Sequence, residues 1–563
     1  MAISSVGFAC RSYLPVRNRT LQHHCLRKIR FNAVSAAANE TVEEPDGFAK
    51  VGDRQDKVAD ATRDREWKQL SSKDLGISSS MIDKPTRQVF NGLKSKGHDV
   101  YLVGGCVRDL ILKRTPRDFD ILTSAELREV APPFSSLIVS TPSTQAYFIF
   151  FAFGINRVQV VRTFSRCEIV GRRFPICHVH VGDDDIVEVS SFSTSAQNSS
   201  RNMRSELRES TGSDGDEDCI RLNNCLQRDF TINGLMFDPY AKVVYDYLGG
   251  IEDIRKAKVR TVIHAGTSFQ QDCARILRAI RVAARLGFRI SKETAHFIKH
   301  LSFLVQRLDK GRILMEMNYM LAYGSAEASL RLLWKFGILE IILPIQAAYL
   351  ARSGFKRRDK RTNMLLSLFA NLDKLLAPDR PCHSSLWIAI LAFHKALSDQ
   401  PRSPLVVAAF SLAVHNGGDI LEAAKIAKKI TRPHDSSFFE LVQEPEKKEN
   451  IKFQTLLDEV MDLDASVKDA LNQMTDGYYI SKAMAAYPQA PFSDMVFIPL
   501  QLYLRAGRIF ECVKEERRMG VEAKQGSKIE YAALYSGDVP ETRHVFARVV
   551  FDTVFPLNLS QEL

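Results

Sequence analysis

The chain has 563 residues, of which 45% are hydrophobic and 25% are charged. This is ordinary globular composition with material for several domains, and no uncharged apolar run has the length of a membrane span, so we expect no membrane partner. The 10 cysteines include no CxxC pair, which argues against a disulfide scaffold and a zinc ribbon. The net charge of +11 permits a nucleic-acid partner without requiring one.

The amino-terminal segment has an unusual composition. Residues 1–39 contain six basic residues and no acidic one, and they are rich in serine and alanine. This composition is typical of an organelle transit peptide. We therefore predict a transit peptide over residues 1–45, for the chloroplast or, as the alternative, the mitochondrion. A basic tail without a targeting role is the other interpretation.

A series of short elements follows a polar linker that we predict over residues 46–83. Apolar periodicity, glycine turns and β-branched alternation define these elements. In chain order, we predict a helix over Lys84–Lys96, a strand over Asp99–Val103, a turn at Gly104 and Gly105, a helix from about Val107, a strand over Phe119–Leu122 and two or three antiparallel strands within 167–192.

The rest of the chain divides into two further regions after a head over residues 84–250. Within the head, we interpret the aromatic-rich segment 131–160 as an insertion and the polar segment 193–218 as a mobile loop. Helical patterns then dominate a neck over 251–345 and a carboxy-terminal domain over 346–563. The predicted fold class is therefore α+β, an α/β head followed by an all-α neck and body.

Two acidic residues, Asp118 and Asp120, stand two positions apart at the predicted strand over Phe119–Leu122. Residues i and i+2 of a strand point to one face, so the two carboxylates would lie side by side. Adjacent like charges are costly without a cation, and oxygen ligands at this spacing suit Mg²⁺. Two such ions can activate a 3′-hydroxyl and stabilise a leaving pyrophosphate. A solvated strand end is the alternative for the pair alone.

The glycine turn at Gly104 and Gly105 gives the acidic pair a context. It follows an apolar strand and precedes a helix, and glycines there let phosphate approach backbone N–H groups. The turn does not match the G-x-G-x-x-G pattern, which makes dinucleotide binding a poor interpretation. A phosphate cradle some ten residues before an acidic pair indicates nucleotidyl transfer.

Several ordered segments resemble the nucleotidyltransferase family that includes tRNA CCA-adding enzymes and bacterial-type poly(A) polymerases. The similarity covers roughly residues 84–345, and the amino-terminal composition would make this an organellar, plant-like member. The segments that carry it are LVGGxVRD at Leu102–Asp109, DxD at Asp118–Asp120, the strand Ile186–Val189, RDFTIN at Arg228–Asn233, GGxxD at Gly249–Asp253 and an EDxxR-like segment at Gln271–Arg275.

The resemblance implies metal-dependent addition of nucleotides to RNA 3′ ends, of mRNA fragments or tRNA. It assigns catalysis to Asp118, Asp120 and Glu188. It also implies that Asp118 and Asp120 hold Mg²⁺, as two ions. The nucleotide-binding positions that it implies are Gly104, Gly105, Arg108, Arg228, Asp229, Asn233, Asp272 and Arg275.

The predicted helix from Asp272 to Leu286 would present Asp272 and Arg275 on one face, where they offer acceptors and donors to a base. Further along it, Arg278 and Arg281 are predicted to line the RNA path. A salt-bridged helix surface is the alternative for these two arginines.

Two departures from the family pattern affect nucleotide selection. Gln271 stands where the family has Glu, and Gln227 stands where it has Arg. The segment Ile169–Val179 resembles the signature of the poly(A) polymerase branch, so we predict AMP addition from ATP. The alternatives are a CCA-adding enzyme that uses CTP and ATP on tRNA and a catalytically inactive RNA-binding protein.

Two other clusters allow more than one interpretation. Cys177, His178 and His180 have metal-ligating side chains, but with no fourth ligand in view we favour strand packing. The basic run over 356–361 is interpreted as a solvated loop, with contact to RNA phosphates as the alternative.

Overall fold

The computed structural model describes residues 68–127, 163–164, 166–171, 175–182, 185–192, 215–442, 453–491, 495–513, 523–524 and 526–557. The predicted transit peptide over 1–45 and insertion over 131–160 lie outside these ranges and stay predictions. The predicted loop over 193–218 lies outside them up to residue 214.

A mixed sheet of eight strands organises the head, in the order β1-β8-β7-β2-β3-β6-β5-β4. The pairing of β3 with β6 is parallel, and the other pairings in this sheet are antiparallel. The bounds are β1 Lys68–Ser71, β2 Val100–Val103, β3 Asp120–Thr123, β4 Cys167–Val170, β5 Ile176–Val181, β6 Asp185–Ser191, β7 Leu235–Asp238 and β8 Val243–Asp246.

The first strand corrects the predicted linker. Lys68–Ser71 pairs with Val243–Asp246 at the edge of the sheet, inside the range 46–83 that the sequence assigned to a linker. The strand is four residues long, polar and largely exposed, because one side of an edge strand faces solvent. It therefore lacks the apolar alternation by which strands are found in a sequence.

The described part of the head contains three helices of at least seven residues: α1 Lys84–Ser95, α2 Gly105–Ile111 and α3 Gly215–Leu226. The first begins at an Asp83 cap, whose carboxylate accepts a hydrogen bond from the Thr86 N–H at 2.8 Å. Helix α3 corrects the end of the predicted loop. Its charged first turn looks like loop composition, yet Glu217 and Asp218 both pair with Arg221 at 3.1 Å.

Helices dominate the described residues after position 250, as predicted. The α-helices are α4 Gly250–Arg255, α5 Ala265–Gln271, α6 Ala274–Leu286, α7 Lys292–His300, α8 Lys310–Leu321, α9 Ala326–Lys335, α10 Leu339–Ile342, α11 Pro344–Arg352, α12 Met364–Leu375, α13 Ser384–Asp399, α14 Pro404–His415, α15 Ile420–Ala427, α16 Phe453–Thr475, α17 Gly477–Met484, α18 Leu500–Phe510, α19 Tyr531–Ser536 and α20 Val539–Val554. Short 3₁₀ turns span Ser79–Met81, Thr231–Asn233 and Ser302–Arg307, and a small parallel pair joins β9 Lys258–Val259 to β10 Arg289–Ile290.

One hydrophobic core runs through the head, the neck and the carboxy-terminal helices, from Ile77 to Phe555. Trp387 is fully buried in it. Farther along the core, Phe393 packs against Phe410 and Phe546 with ring centroids 5.9 and 5.5 Å apart. A second, smaller cluster of buried residues, which includes Tyr101 and Met236, lies in the head. The α+β fold class is confirmed by the mixed sheet of the head and the helices that follow it. In the described ranges, we find no helix both long and apolar enough to cross a membrane.

Candidate active site

The parallel pairing of β3 with β6 brings two predicted catalytic residues together. Asp120 and Glu188 are direct partners in this register, so their side chains lie on one face of the sheet. Asp118 lies two residues before β3 begins, and its side chain is 65% exposed. The prediction that both aspartates belong to one strand is therefore wrong, because the chain bends at Asp118 before the sheet pairing starts.

The electrostatics of these carboxylates show that they repel one another. Burial raises the pKa of Asp120 to about 6, with further increases from Glu188 and Asp118, while Arg228 opposes them. Burial and Asp118 also raise the pKa of Glu188, and Arg117 lowers it. The site therefore concentrates negative charge at the end of two strands, which is a position for a cation.

The glycine turn lies directly against this charge. Gly104 has a φ of +84°, a conformation that side-chain-bearing residues rarely adopt, and a Cβ there would lie 3.0 Å from Arg228 Nη1 and 3.2 Å from Asp120 Oδ2. Because Gly104 has no side chain, the turn can lie directly against Arg228 and Asp120. Arg228 forms no ion pair with any residue that the structure describes, so its guanidinium remains available to an anion. Burial raises the pKa of the neighbouring Cys106 thiol to about 12, which excludes it as a nucleophile near neutral pH.

A buried polar network joins three of the predicted nucleotide-binding residues. Arg108 donates to Asp109 Oδ1 at 2.9 Å and to Asn233 Oδ1 at 2.6 Å. Asn233 in turn donates to Asp229 Oδ1 at 2.9 Å. Gly105 lies beside this network, because a Cβ there would lie 3.4 Å from Arg108 Nη2. The two glycines of the turn thus contact both the catalytic carboxylates and the network.

Asp229 connects the head to the neck. Its carboxylate accepts from the Phe230 N–H at 2.7 Å and pairs with Arg278 at 3.2 Å. Burial alone would raise the pKa of Asp229, but Arg278, Asn233 and the Phe230 N–H together lower it below its usual value. Asp229 is therefore held ionised, and it fixes helix α6 against the RDFTIN segment.

Asp272 and Arg275 come together, although not on one helix as predicted. Asp272 ends α5 with extended backbone, and α6 begins at Ala274. The Asp272 carboxylate accepts from the Ala274 N–H at 3.0 Å and lies 3.9 Å from Arg275 Nε. Arg275 also donates to Ser268 Oγ at 2.8 Å and to the Gln227 carbonyl at 3.0 Å. The helix thus breaks at Asp272, which the apolar periodicity does not reveal. The break places Asp272 and Arg275 at the junction between α5 and α6.

The two predicted RNA-binding arginines are engaged within the protein. Arg278 pairs with Asp229, and Arg281 Nε lies 3.3 Å from Glu316 Oε2. Both side chains are less than one quarter exposed. These contacts favour the ion-paired interpretation of α6 that the sequence left open.

Sequence reasoning missed Glu316, which holds this helix in place. Glu316 is fully buried and pairs with Arg281 and Arg312. Asp253, the last residue of the GGxxD segment, accepts hydrogen bonds from Thr231 and Arg260 at 2.6 and 2.8 Å. A usable signal existed for Glu316, because it is a lone acid among the apolar positions of α8.

The histidines beside the site contact carboxylates across the strands. His178 is the register partner of Glu188, with Nε2 3.8 Å from Oε1, and burial lowers the pKa of His178. Cys177 is fully buried in the core. Within the described part of the chain, no group of three or more His, Cys, Asp or Glu side chains is arranged to hold a metal ion. The strand-packing interpretation of 177–180 fits these contacts.

Comparisons with known proteins identify two regions of the chain. Residues 100–147 and 146–260 match the model for the "Poly A polymerase head domain". Residues 287–350 match the model for the "Probable RNA and SrmB-binding site of polymerase A". The site described above lies in the first region and at the helices that lead to the second.

Curated relatives of two kinds align with the chain. Poly(A) polymerase I of Haemophilus influenzae is 27% identical over 328 residues, which cover 57% of this chain and 64% of that protein. Poly(A) polymerase I of Escherichia coli O6:H1 is 31% identical over 288 residues, covering 49% and 54%. The CCA-adding enzyme of Geobacillus stearothermophilus is 29% identical over 261 residues, covering 44% and 52%. The chain thus spans between half and two thirds of the length of these relatives.

Among solved structures, that of the Bacillus stearothermophilus CCA-adding enzyme in complex with CTP aligns over 76% of this chain and 83% of that chain. The sequence identity is 21% and the TM-score is 0.38.

The buried network makes a prediction about stability. We expect Arg108→Met to lower the free energy of unfolding by about 3 kcal/mol, because it leaves the buried Asp109 carboxylate without its main partner. The measurement is urea denaturation followed by circular dichroism. Arg255→Met, which removes an exposed arginine 3.8 Å from Glu252, is the matched control and should leave the unfolding curve unchanged. Equal effects of the two substitutions would contradict a structural role for the network.

Proposed function

We propose that this protein adds AMP from ATP to RNA 3′ ends. Residues 100–260 match the model for the head domain of poly(A) polymerase, and residues 287–350 match the model for its RNA-binding site. The observation that carries the proposal is the juxtaposition of the Asp120–Glu188 pair with the bare Gly104 turn and the unpaired Arg228. That arrangement offers a cation position and an anion position side by side. The poly(A) polymerase relatives support ATP as the nucleotide.

In the proposed reaction, the RNA 3′-hydroxyl oxygen attacks the α-phosphorus of ATP. A phosphodiester bond forms, the bond between the α-phosphorus and its bridging oxygen breaks, and pyrophosphate leaves. Arg228 would bind the triphosphate, which can approach closely because Gly104 and Gly105 carry no side chains. The protein contributes position and charge, and no covalent intermediate is required.

The carboxylates fit a divalent cation. Asp118 and Asp120 would hold Mg²⁺, with Glu188 assisting. Beside burial, Asp118 raises the pKa of both Asp120 and Glu188, and a cation would relieve this repulsion. Mg²⁺ usually takes few protein ligands and completes its shell with water and substrate phosphates, which suits so small a donor set. When bound, Mg²⁺ supplies neutralisation of the charge on the attacking and leaving oxygens.

The nucleotide base would be selected at the junction between α5 and α6. Arg275 is oriented there by Ser268 and the Gln227 carbonyl, and the Asp272 side chain is 42% exposed. A carboxylate accepts from an exocyclic amino group such as that of adenine, whereas a fixed guanidinium donates to ring or carbonyl acceptors. Gln227 contacts Arg275 through its backbone carbonyl. This contact does not depend on the Gln227 side chain, which is where the chain departs from the family pattern.

A basic cleft of about 1160 Å³ between the neck and the segment 486–491 supports RNA as the substrate. Four of its cations have no carboxylate partner in the described ranges. Aromatic and proline side chains, among them Phe336 and Tyr487, form apolar walls beside these charges. A groove of cations with aromatic walls suits a single-stranded polyanion. The four cations are Lys292, Lys299, Lys335 and Arg358.

Two oxygens in the wall of this cleft, Tyr487 Oη and Glu340 Oε2, are buried and have no hydrogen-bond partner among the described residues. Arg357, from the basic run over 356–361, pairs with the same Glu340 and packs over Trp334 at 3.9 Å. Within the basic run, Arg357 and Arg361 are therefore paired with carboxylates, whereas Lys356, Arg358 and Lys360 have no carboxylate partner among the described residues.

For localisation, we propose import into the chloroplast through residues 1–45. The support is their acid-free, serine- and arginine-containing composition over positions 1–39.

Extension assays test the proposed reaction. With Mg²⁺, we expect long ladders from ATP on an unstructured oligoribonucleotide and on a tRNA without its CCA end. A stop after three additions to the tRNA, requiring both CTP and ATP, would instead identify a CCA-adding enzyme. RNA binding without any extension would identify an RNA-binding protein. Asp118→Ala and Asp120→Ala should each abolish extension while RNA binding survives, whereas the exposed Asp99→Ala should extend normally.

The basic cleft predicts a change in the salt dependence of RNA binding. Replacing its four unpaired cations by glutamine should reduce the slope of log K against log salt by about 3, because each phosphate contact to a single strand contributes about 0.7. Fluorescence anisotropy with a labelled oligoribonucleotide measures the slope. The control variant removes four exposed lysines elsewhere, Lys96, Lys425, Lys429 and Lys482, and should keep the original slope. An unchanged slope in the cleft variant would exclude the cleft from the RNA path.

The targeting proposal predicts that residues 1–45, fused to a fluorescent reporter, direct it to chloroplasts of a plant cell. A variant with the six basic residues of 1–39 replaced by serine should remain in the cytosol. Mitochondrial fluorescence would favour the alternative organelle, and cytosolic fluorescence of the unaltered fusion would contradict targeting.

A further inference from the structure

Arg117 lies between an active-site carboxylate and the neck. Its Nε is 3.5 Å from Asp118 Oδ2 on one side. On the other side, its guanidinium carbon lies 5.0 Å from the ring centroid of Tyr319 and 4.9 Å from that of Tyr323. The two tyrosines belong to helix α8 and the turn after it. Arg117, the residue next to Asp118, therefore contacts the neck.

The position of Tyr319 is set by the neck itself. Arg281, on helix α6, lies 4.8 Å from the Tyr319 ring and pairs with the fully buried Glu316 of α8. Tyr319 and Tyr323 also contact each other, with centroids 5.4 Å apart. Two cations from two different regions thus share the Tyr319 ring, one from the head and one from the neck.

The pairing of Arg117 with Asp118 is loose. A charge-assisted hydrogen bond between a guanidinium and a carboxylate usually measures 2.7–2.9 Å, whereas this contact is 3.5 Å and leaves the Asp118 side chain 65% exposed. A guanidinium with no other contact would close on the nearby carboxylates and occupy the position that a divalent cation needs. The tyrosine rings hold it back from that position.

We propose that Arg117 is a positioning residue and that Tyr319 and Tyr323 form a clamp that keeps its guanidinium from displacing the divalent cation at Asp118. This rests on the proposed function, because it assumes a cation at the carboxylates. The clamp also links helix α8 of the neck to the exposure of one carboxylate in the head. Access of the cation to Asp118 then depends on the neck being correctly packed.

The test uses Mn²⁺ binding to the full chain, measured by the electron paramagnetic resonance signal of free Mn²⁺. We expect Tyr319→Leu with Tyr323→Leu to weaken Mn²⁺ binding about tenfold, because Arg117 is released onto Asp118. Adding Arg117→Met to this double variant should restore Mn²⁺ binding, because no guanidinium remains to compete. Tyr319→Phe with Tyr323→Phe keeps both rings and should bind Mn²⁺ like the unaltered chain. Circular dichroism verifies that each variant is folded.

The outcomes separate the clamp from a general packing role and from the proposed function. Loss of Mn²⁺ binding in the leucine variant without restoration by Arg117→Met would overturn the clamp, as would undiminished binding in the leucine variant. Tyr478→Leu, on an exposed ring remote from this contact, controls for the loss of an aromatic side chain. An unaltered chain that neither binds Mn²⁺ nor extends RNA would overturn the proposed function and the clamp together.

Discussion

Asp120 and Glu188 face each other across two parallel strands, and the register that puts them there determines much of the surrounding structure. Two carboxylates at the same level of a sheet repel each other and require compensating positive charge, and Glu188 accordingly adds to the burial that raises the pKa of Asp120. The protein supplies Arg228 from one side and Arg117 from the other, at distances that reduce the repulsion without closing the site. A side chain at position 104 of the neighbouring turn would crowd Arg228 and Asp120, which explains the glycine there.

The second level of organisation is a chain of hydrogen-bonded charged and polar side chains that runs from the head into the neck. Asp109, Arg108 and Asn233 lead to Asp229, whose carboxylate is bound by Arg278 on helix α6. Each member satisfies its neighbour, so removal of one leaves another buried without a partner. Such a network fixes the angle between the strands that carry the carboxylates and the helix that would contact a base. Rigid placement of this kind is what nucleotidyl transfer without a covalent intermediate requires.

Much of this could be predicted from the sequence, and the failures have physical causes. The apolar strand before Gly104, the helix over Lys84–Ser95 and the helical character after residue 250 follow from periodicity, and the structure confirms them. Strand β1 was missed because a polar edge strand carries no apolar pattern. The break at Asp272 was missed because apolar spacing continues across it. The partners of Arg278 and Arg281 could not be predicted, since they come from residues distant in sequence.

The unbroken core from Ile77 to Phe555 bears on how the chain acquires its structure during synthesis. Helix α14 is buried on almost all sides, and part of its cover is helix α20, whose last residues are among the final ones described. A nascent chain that still lacks α20 therefore exposes a wide apolar surface on α14. That surface stays open to non-specific association until α20 has been made and packs against it. The burial of α14 is therefore completed by a helix more than a hundred residues farther along the chain.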